Sequence, residues 1–276
     1  MDVSRHFQPI KLLKRCIDAM QSSKLNTLHL HLTDSQSFPV LLDDVNVSMS
    51  SPNGGVEELL ALSSLAKKGS FSSEKMYSKA ELIELVAYGK AKGVDIVPEI
   101  DMPAHTLSWG NAFKDVYINC SRTASSAQTP WNIYPLDPSN EKTYTIIYHI
   151  LAQVVDVFPS RYLHIGGDEV SDQCWQEDES LMSWAKDKGL ATRDITKYFE
   201  ERVFSIVYSL GKVPIVWQGI LDSNSMPAGD SYMANRTYPR KDAGINDDDG
   251  SSSSDVDLQP VVEPWKCWGG IQTIVV

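Results

Sequence analysis

Tyr162-Leu163-His164-Ile165-Gly166-Gly167-Asp168-Glu169 (162–169) is the stretch whose reading decides the fold. Its first half is a short apolar run of strand character. It lies between two segments, Glu141 to Phe158 and Asp194 to Leu210, whose apolar residues recur with a helical period. A strand bracketed by amphipathic helices is one unit of an α/β chain. The strand ends on two glycines, which remove side chains where a ligand could come close to the backbone. Two adjacent carboxylates, Asp168 and Glu169, come next. Crowded like charges push one carboxyl upward, so that one acid stays protonated near neutral pH while the other is ionised.

The same unit recurs in both directions. Met1 to Ser4 reads as the tail of a strand, and Pro9 opens a helix with Ile10, Leu13, Ile17 and Met20 on one face. Thr27 to Thr33 is a second strand, ending at Asp34. Ser78-x-x-Glu81 is a capping box for a helix that stops near Gly93. Val94 to Ile100 is the third strand, with a long loop after it to about Asn140. Tyr162 to Ile165 is the fourth, Val213 to Trp217 the fifth and Val261 to Trp265 the sixth. The polar stretch Asp43 to Ser73 reads as an insertion holding one short helix, Val56 to Lys67.

Asp242 to Asp257, with Asp247-Asp248-Asp249-Gly250 and four consecutive serines, is too polar to bury a core and predicts a mobile insertion. It is not a calcium loop, because the D-x-D-x-D spacing and terminal Glu are missing. Alternation of this kind builds either a doubly wound sheet or a barrel. Neither G-x-G-x-x-G nor G-x-x-x-x-G-K-S/T occurs, which places the barrel ahead. The expected architecture is a (β/α)8 TIM barrel forming one domain over residues 1–276, with about six of its eight strand–helix units present.

Composition narrows the partners. Of the 276 residues 42% are hydrophobic and 22% charged, ordinary for a globular chain. A net charge of −11 opposes binding to nucleic acid or to an anionic membrane surface. No apolar run approaches the ~18 residues of a membrane span. Cys16, Cys120, Cys174 and Cys267 form no C-x-x-C pair, so no metal site is expected. Sequons at Asn46, Asn119 and Asn235 fit a secretory route.

The residues just after each strand are more informative than any single motif. Arg5 stands after the first, Asp34 after the second, Asp101 and His105 after the third, Asp168 and Glu169 after the fourth. Trp217 with Gln218 closes the fifth, and Trp265 the sixth. In a barrel these C-terminal ends share one face, where catalytic groups collect. Each residue alone has a plainer reading: Asp34 as a helix cap, Trp217 as core, Arg5 as a surface ion pair. Glycoside hydrolysis needs one protonated acid and one ionised group, and indole planes suit the apolar faces of a sugar ring.

Several runs together resemble glycoside hydrolase family twenty, with eukaryotic β-hexosaminidases as the nearest type. They are Asp2-Val3-Ser4-Arg5-His6-Phe7, His29-Leu30-His31-Leu32-Thr33-Asp34, Val97 to Gly110, His164 to Val170 with Cys174-Trp175, and Val216-Trp217-Gln218. The resemblance implies a retaining β-N-acetylhexosaminidase in which the substrate's own acetamido oxygen is the nucleophile, and no cofactor. Glu169 would be the general acid and then base, while Asp168 would orient the acetamido group and stabilise the oxazolinium. Arg5 would bind the 3- and 4-hydroxyls, and Asp34 with His105 would tune the acid. Trp217 and Trp265 would wall the acetamido pocket. His164 would be support beneath the pair, Trp109 a packing residue at the rim, and Cys120–Cys174 a disulfide. A lysosomal, vacuolar or extracellular place and room for a homodimer of the full-length protein come with it.

The chain also departs from that pattern. The family's tyrosine on the acetamido oxygen, its third pocket tryptophan and its acidic reader of the 4- and 6-hydroxyls are not found, and neither is the α+β domain that usually precedes the barrel. The sequence therefore reads as a barrel truncated at both ends, which expressed by itself is expected to be inactive or insoluble because it exposes sheet edges. Two other readings remain. One is a non-catalytic sugar-binding relative. The other arises because Gly166-Gly167-Asp168-Glu169 resembles the diguanylate cyclase signature, but that signature needs a returning strand, and Ser171 to Glu177 has no strand pattern.

Overall fold

The computed structural model describes residues 1–49, 56–118, 135–170, 172–218 and 261–263. In chain order its elements are α1 (Ile10–Ser22), β1 (Thr27–Thr33), β2 (Val45–Met49), β3 (Val56–Leu60), α2 (Ser63–Gly69), α3 (Lys79–Ala91), β4 (Asp95–Ile100) and α4 (Leu107–Gly110). Then come α5 (Glu141–Val157), β5 (Tyr162–His164), α6 (Asp172–Gln176), α7 (Glu179–Asp187), α8 (Asp194–Ser209), β6 (Val213–Trp217) and β7 (Val261–Glu263).

The sheet order is β1-β4-β5-β6-β7, every pair parallel. Residues 1–3 extend it on the far side of β1: the Val3 N–H donates to the His31 carbonyl and the His31 N–H to that of Met1. Each strand thus lies beside the one that precedes it in this series. A doubly wound sheet reverses its order midway, whereas a barrel steps round in one direction. These six parallel segments are strands of a (β/α)8 barrel.

Alternation within the strands separates two environments. In β1 Leu28, Leu30 and Leu32 are buried toward the helices, while His29 and His31 take the opposite face. The register sets His31 beside Glu99 and Glu99 beside His164, which puts a polar layer across three neighbouring strands. Outside the sheet, α1 buries Leu13, Ile17 and Met20, each stabilising by about 1.5–3 kcal/mol. Helix α3 starts from the expected capping box: Ser78 Oγ accepts from the Glu81 N–H, and the Ser78 N–H donates to Glu81 Oε2.

One element differs from the sequence reading. The helix expected over Val56 to Lys67 is two things: strand β3, antiparallel to β2, and then helix α2 from Ser63. Val56, Leu59 and Leu60 share a helical spacing, but pairing with Val45 to Met49 satisfies the backbone of residues 56–60 instead. Residues 242–257, expected to be mobile, lie outside the described residues. No helix among the described residues is long and apolar enough to cross a membrane.

Candidate active site

Five strand ends contribute to one cup. Residues 165–169 are braced from both sides: the Met102 N–H donates to the Ile165 carbonyl, the Trp217 N–H to the Gly166 carbonyl, and the Gly167 N–H to Asp101 Oδ1. Gly166 has φ +69°, and a Cβ there would stand 1.7 Å from Asp101 Oδ1, so the residue must be glycine for two separate reasons. His164 is fully buried, and its Nδ1 accepts from the Gly166 N–H at 3.0 Å.

The doublet opens onto His105. Its Nε2 lies 3.2 Å from Glu169 Oε2 and 4.0 Å from Asp168 Oδ2. The first is an ion-pair distance, too oblique for a well-formed hydrogen bond. On the other side, His105 Nδ1 is 3.3 Å from Asp34 Oδ1. Asp34, Glu169 and the histidine between them therefore form a row, brought together from the ends of β1, β4 and β5. His105 and Glu169 are two of three non-glycine residues with positive φ among those described, at 59° and 55°. Backbone strain of this kind persists only where the surroundings impose it, and it gathers at functional sites.

Arg5 reaches the same cup and is already shared. Nη1 donates to Asp2 Oδ2 at 2.8 Å and Nη2 approaches Asp34 Oδ2 at 2.6 Å, while 39% of its side chain stays exposed. Asp34 itself is held by the Ser35 N–H at 2.6 Å, and its carbonyl accepts from Ser108 Oγ.

Beneath the row lies a second one that sequence reading did not single out. Glu99, with no exposed surface, accepts from His29 Nε2 at 2.7 Å, from His31 Nδ1 at 2.7 Å and from Trp217 Nε1 at 2.8 Å. His31 Nε2 then meets Asp34 Oδ2 at 2.9 Å, joining the two rows. The signal was present in the sequence: histidines at 29 and 31 must share a face of β1. Their partner Glu99 is set by register between strands, which local sequence does not carry.

The charges sort by partner. Burial opposes ionisation of Asp34 and of Glu99, yet bonds from His105 and His31 to the first, and from His29 and His31 to the second, outweigh it. Both are held well below the usual carboxylate range. Burial also works against the His31 and His105 cations. Hydrogen bonds to Asp34 and Glu99 push His31 up to about 10, and Asp101 with Asp34 and Glu169 pushes His105 up to about 11. Asp101 and Asp168 go the other way: burial raises both, against the pull of the His105 charge. Asp168 Oδ1 is buried with no hydrogen-bond donor among the described residues.

Of the other expected site residues, Trp217 is half-buried, packs at a tilt on His164 with centroids 4.7 Å apart, and directs its N–H at Glu99. Gln218 stands next to it in a turn. Trp109 is not at the rim but fully buried, edge-on to Phe38 at 5.8 Å, because helix α4 turns it into the core. Cys174 is buried and disulfide-bonded, whereas Cys16 is free. Cys120 and Trp265 lie outside the described residues. After Val170 the chain enters helix α6 rather than a returning strand, which removes the hairpin that the cyclase reading requires.

Comparison with known proteins adds an independent line. The family model described as "Glycosyl hydrolase family 20, catalytic domain" matches residues 1–238. The chain is 29% identical over 227 residues to the human protein named beta-hexosaminidase subunit beta, covering 82% of this chain and 37% of that one. It is 32% identical over 222 residues to beta-hexosaminidase subunit A1 of Dictyostelium discoideum, covering 80% and 38%. Among solved structures, a chitobiase of Flavobacterium johnsoniae superposes with a TM-score of 0.64 at 28% identity, over 80% of this chain and 31% of that chain. The chain thus spans less than two-fifths of the length of each of these three proteins.

Proposed function

Since the chain belongs to glycosyl hydrolase family 20, we propose that it carries the catalytic centre of a retaining β-N-acetylhexosaminidase acting on terminal, non-reducing N-acetylglucosamine or N-acetylgalactosamine. One observation carries this reading: His105 Nε2 stands 3.2 Å from Glu169 Oε2 with Asp34 Oδ1 3.3 Å behind the same imidazole, and Asp168 borders it. An exposed carboxyl backed by a carboxylate–imidazole pair is equipped to give a proton and take one back. A half-buried neighbour whose buried Oδ1 lacks a donor among the described residues is equipped to accept an amide N–H.

The steps derive from those positions. The acetamido carbonyl oxygen attacks C1 as the bond from C1 to the leaving oxygen breaks, and Glu169 delivers its proton to that oxygen. Asp168 accepts the acetamide N–H and faces the positive charge of the oxazolinium ring. Water then attacks C1, Glu169 takes its proton, the ring opens and the sugar leaves with its configuration retained. Two adjacent carboxylates cannot flank a sugar from opposite faces, which is why the nucleophile of the first displacement has to come from the substrate. Arg5, with donors left after Asp2 and Asp34, takes the ring hydroxyls, Trp217 and Trp265 belong to the pocket wall, and Gln218 supports it. A Cys120–Cys174 bridge, glycosylation at exposed Asn46, a lysosomal, vacuolar or extracellular place and a homodimer belong to the same proposal.

The test compares Glu169→Gln with the wild type in the full-length product of the gene, using a chromogenic N-acetyl-β-glucosaminide. Removing a general acid lowers kcat by roughly 10²- to 10⁴-fold, and binding of N-acetylglucosamine should persist. Binding without turnover in the wild type would favour the sugar-binding relative, and equal turnover in the variant would refute the assignment of Glu169.

A further inference from the structure

The row that tunes the acid does not end at Asp34. We propose that His31 is a positioning residue for the acid: clamped as a buried cation between Glu99 and Asp34, it fixes the carboxylate on which His105 leans. This rests on the reading of Glu169 as the acid, and it extends the row inward by two buried groups.

The geometry is continuous. Glu99 Oε2 accepts from His31 Nδ1 at 2.7 Å, His31 Nε2 meets Asp34 Oδ2 at 2.9 Å, Asp34 Oδ1 meets His105 Nδ1 at 3.3 Å, and His105 Nε2 meets Glu169 Oε2 at 3.2 Å. Both ring nitrogens of His31 face carboxylate oxygens, which can only accept, so the ring satisfies both only by carrying two N–H groups. Asp34 is likewise used on both sides: one oxygen takes His31 and Arg5, the other takes His105. Had only one side been held, the carboxylate could rotate away from His105. Sign alternates along the row, from Glu99 (minus) through His31 (plus) and Asp34 (minus) to His105 (plus), so the charge arriving on Glu169 at proton transfer meets a cation whose own partner cannot move.

The ionisable groups around His31 are few and come from every side. Asp34 lies three residues on in its own segment, Glu99 and Asp101 come from β4 and the loop beyond, and Arg5 Nη1 lies 3.4 Å from Nε2 on the side of the first strand. His105 is faced by Asp34, Asp101, Asp168 and Glu169. Removal of the His31 charge therefore leaves the row one positive charge short, with Arg5 the nearest substitute. A more negative surrounding keeps an acid protonated to higher pH.

The experiment is a pH–rate profile of His31→Gln beside the wild type, in the full-length product, with the chromogenic N-acetyl-β-glucosaminide and with active sites titrated by a tight competitive inhibitor. The alkaline limb of kcat/KM should move up by about one unit, the effect of one charge roughly 10 Å away at an effective dielectric near 20. Per active site, kcat should fall about tenfold or more while KM changes less than about threefold, the pattern of a misplaced group that does not bind substrate. A profile that superimposes on the wild type after that correction would overturn the proposal. Should the variant fail to fold, nitrogen NMR of the wild type with labelled histidines decides instead. His31 must carry protons on both ring nitrogens through pH 8, and a neutral ring at pH 7 would end the idea. A wild type that turns over no N-acetylhexosaminide removes the reading of the site, and the NMR result still decides whether His31 is the clamped cation.

Discussion

Replacing Gly166 by alanine isolates the packing on which the acidic doublet depends. The new Cβ would meet Asp101 Oδ1 at 1.7 Å, Cγ at 2.4 Å and Cα at 3.0 Å. Asp101 is buried, so its carboxyl has no solvent to turn toward. Two costs add. A side chain at φ +69° costs about 1–2 kcal/mol, and the overpacking costs about 1–3 kcal/mol. The variant should therefore lose roughly 2–5 kcal/mol, or roughly 5–15 °C in Tm for a chain of this size. Gly189 supplies the control, because its φ is +70° and nothing lies within 4 Å of its Cβ position. Gly189→Ala should show the backbone cost alone. Combining Gly166→Ala with Asp101→Ala should reveal a favourable coupling of about 1 kcal/mol in a double-mutant cycle.

Activity gives the second readout. Asp168 and Glu169 lie two and three residues beyond Gly166, and a shift of 1 Å at a catalytic group can cost about 10²-fold in rate. Thermal unfolding and kcat would be measured on both glycine variants in the full-length product. If Gly166→Ala melts within a degree of Gly189→Ala and keeps full kcat, the close approach of Asp101 to the loop is wrong, and with it the bracing of residues 165–169.

Three further outcomes derive from the charges. Asp168→Asn should lower kcat on N-acetyl-β-glucosaminides by about 10²-fold or more, and a variant that hydrolyses them normally would show that the acetamide is held elsewhere. His31 and His105 are raised from an ordinary 6.5 to about 10 and 11, so their stabilisation is complete below about 6.5 and is lost as pH climbs toward those values. Asp34, held low by the same partners, contributes above its ordinary 3.8 and stops contributing as pH falls through its lowered value. Tm should then peak between about pH 4 and 6.5, and a Tm still climbing from pH 7 to 9 would contradict the assigned charges. Glu200 on α8 is buried with neither oxygen partnered among the described residues, and burial raises its carboxyl well above the usual range. Such a group penalises the fold once the unfolded chain ionises it, so Glu200→Gln should stabilise by about 1–3 kcal/mol at pH 7 and hardly at all at pH 4. Equal effects at the two pH values in denaturant melts would point to packing instead.

How far the sequence carried these arguments depended on whether the information was local. Strand ends were legible, because an apolar run closing on Asp34, on Asp101 or on Asp168 is read from neighbours in the chain. So was helix α3, whose start is written in Ser78 and Glu81. The hairpin of β2 and β3 was not legible: Val56-Glu57-Glu58-Leu59-Leu60 has helical spacing, and only pairing with Val45 to Met49 makes it a strand. The same limit hid the lower row. Histidines at 29 and 31 can be placed on one face of β1, yet nothing near them announces Glu99, which arrives through parallel register from a strand about 70 residues away. Trp109 was misplaced at the rim for a related reason, since a four-residue helix decides which way it points.

The buried carboxyls of the cup divide into two kinds, and the division indicates what each can do. Asp34 and Glu99 have imidazole partners on their oxygens and stay ionised; buried Asp101 and half-buried Asp168 have less compensation and are pushed toward the neutral form. Environments that drive like groups apart in this way mark the division of labour at an acid–base site. Asp101 spends its Oδ1 on the Gly167 N–H and has a structural task. Asp168 has no such bond for its buried Oδ1 and lies 4.0 Å from the His105 cation. Its buried Oδ1 is thus an acceptor lacking a donor among the described residues, and under the proposed mechanism an acetamide N–H that becomes part of a cationic ring would supply a donor and a second positive neighbour at once. Under the proposed mechanism the carboxyl would gain its strongest partner only as the ring forms. That is the condition under which binding energy lowers a barrier instead of merely tightening the complex.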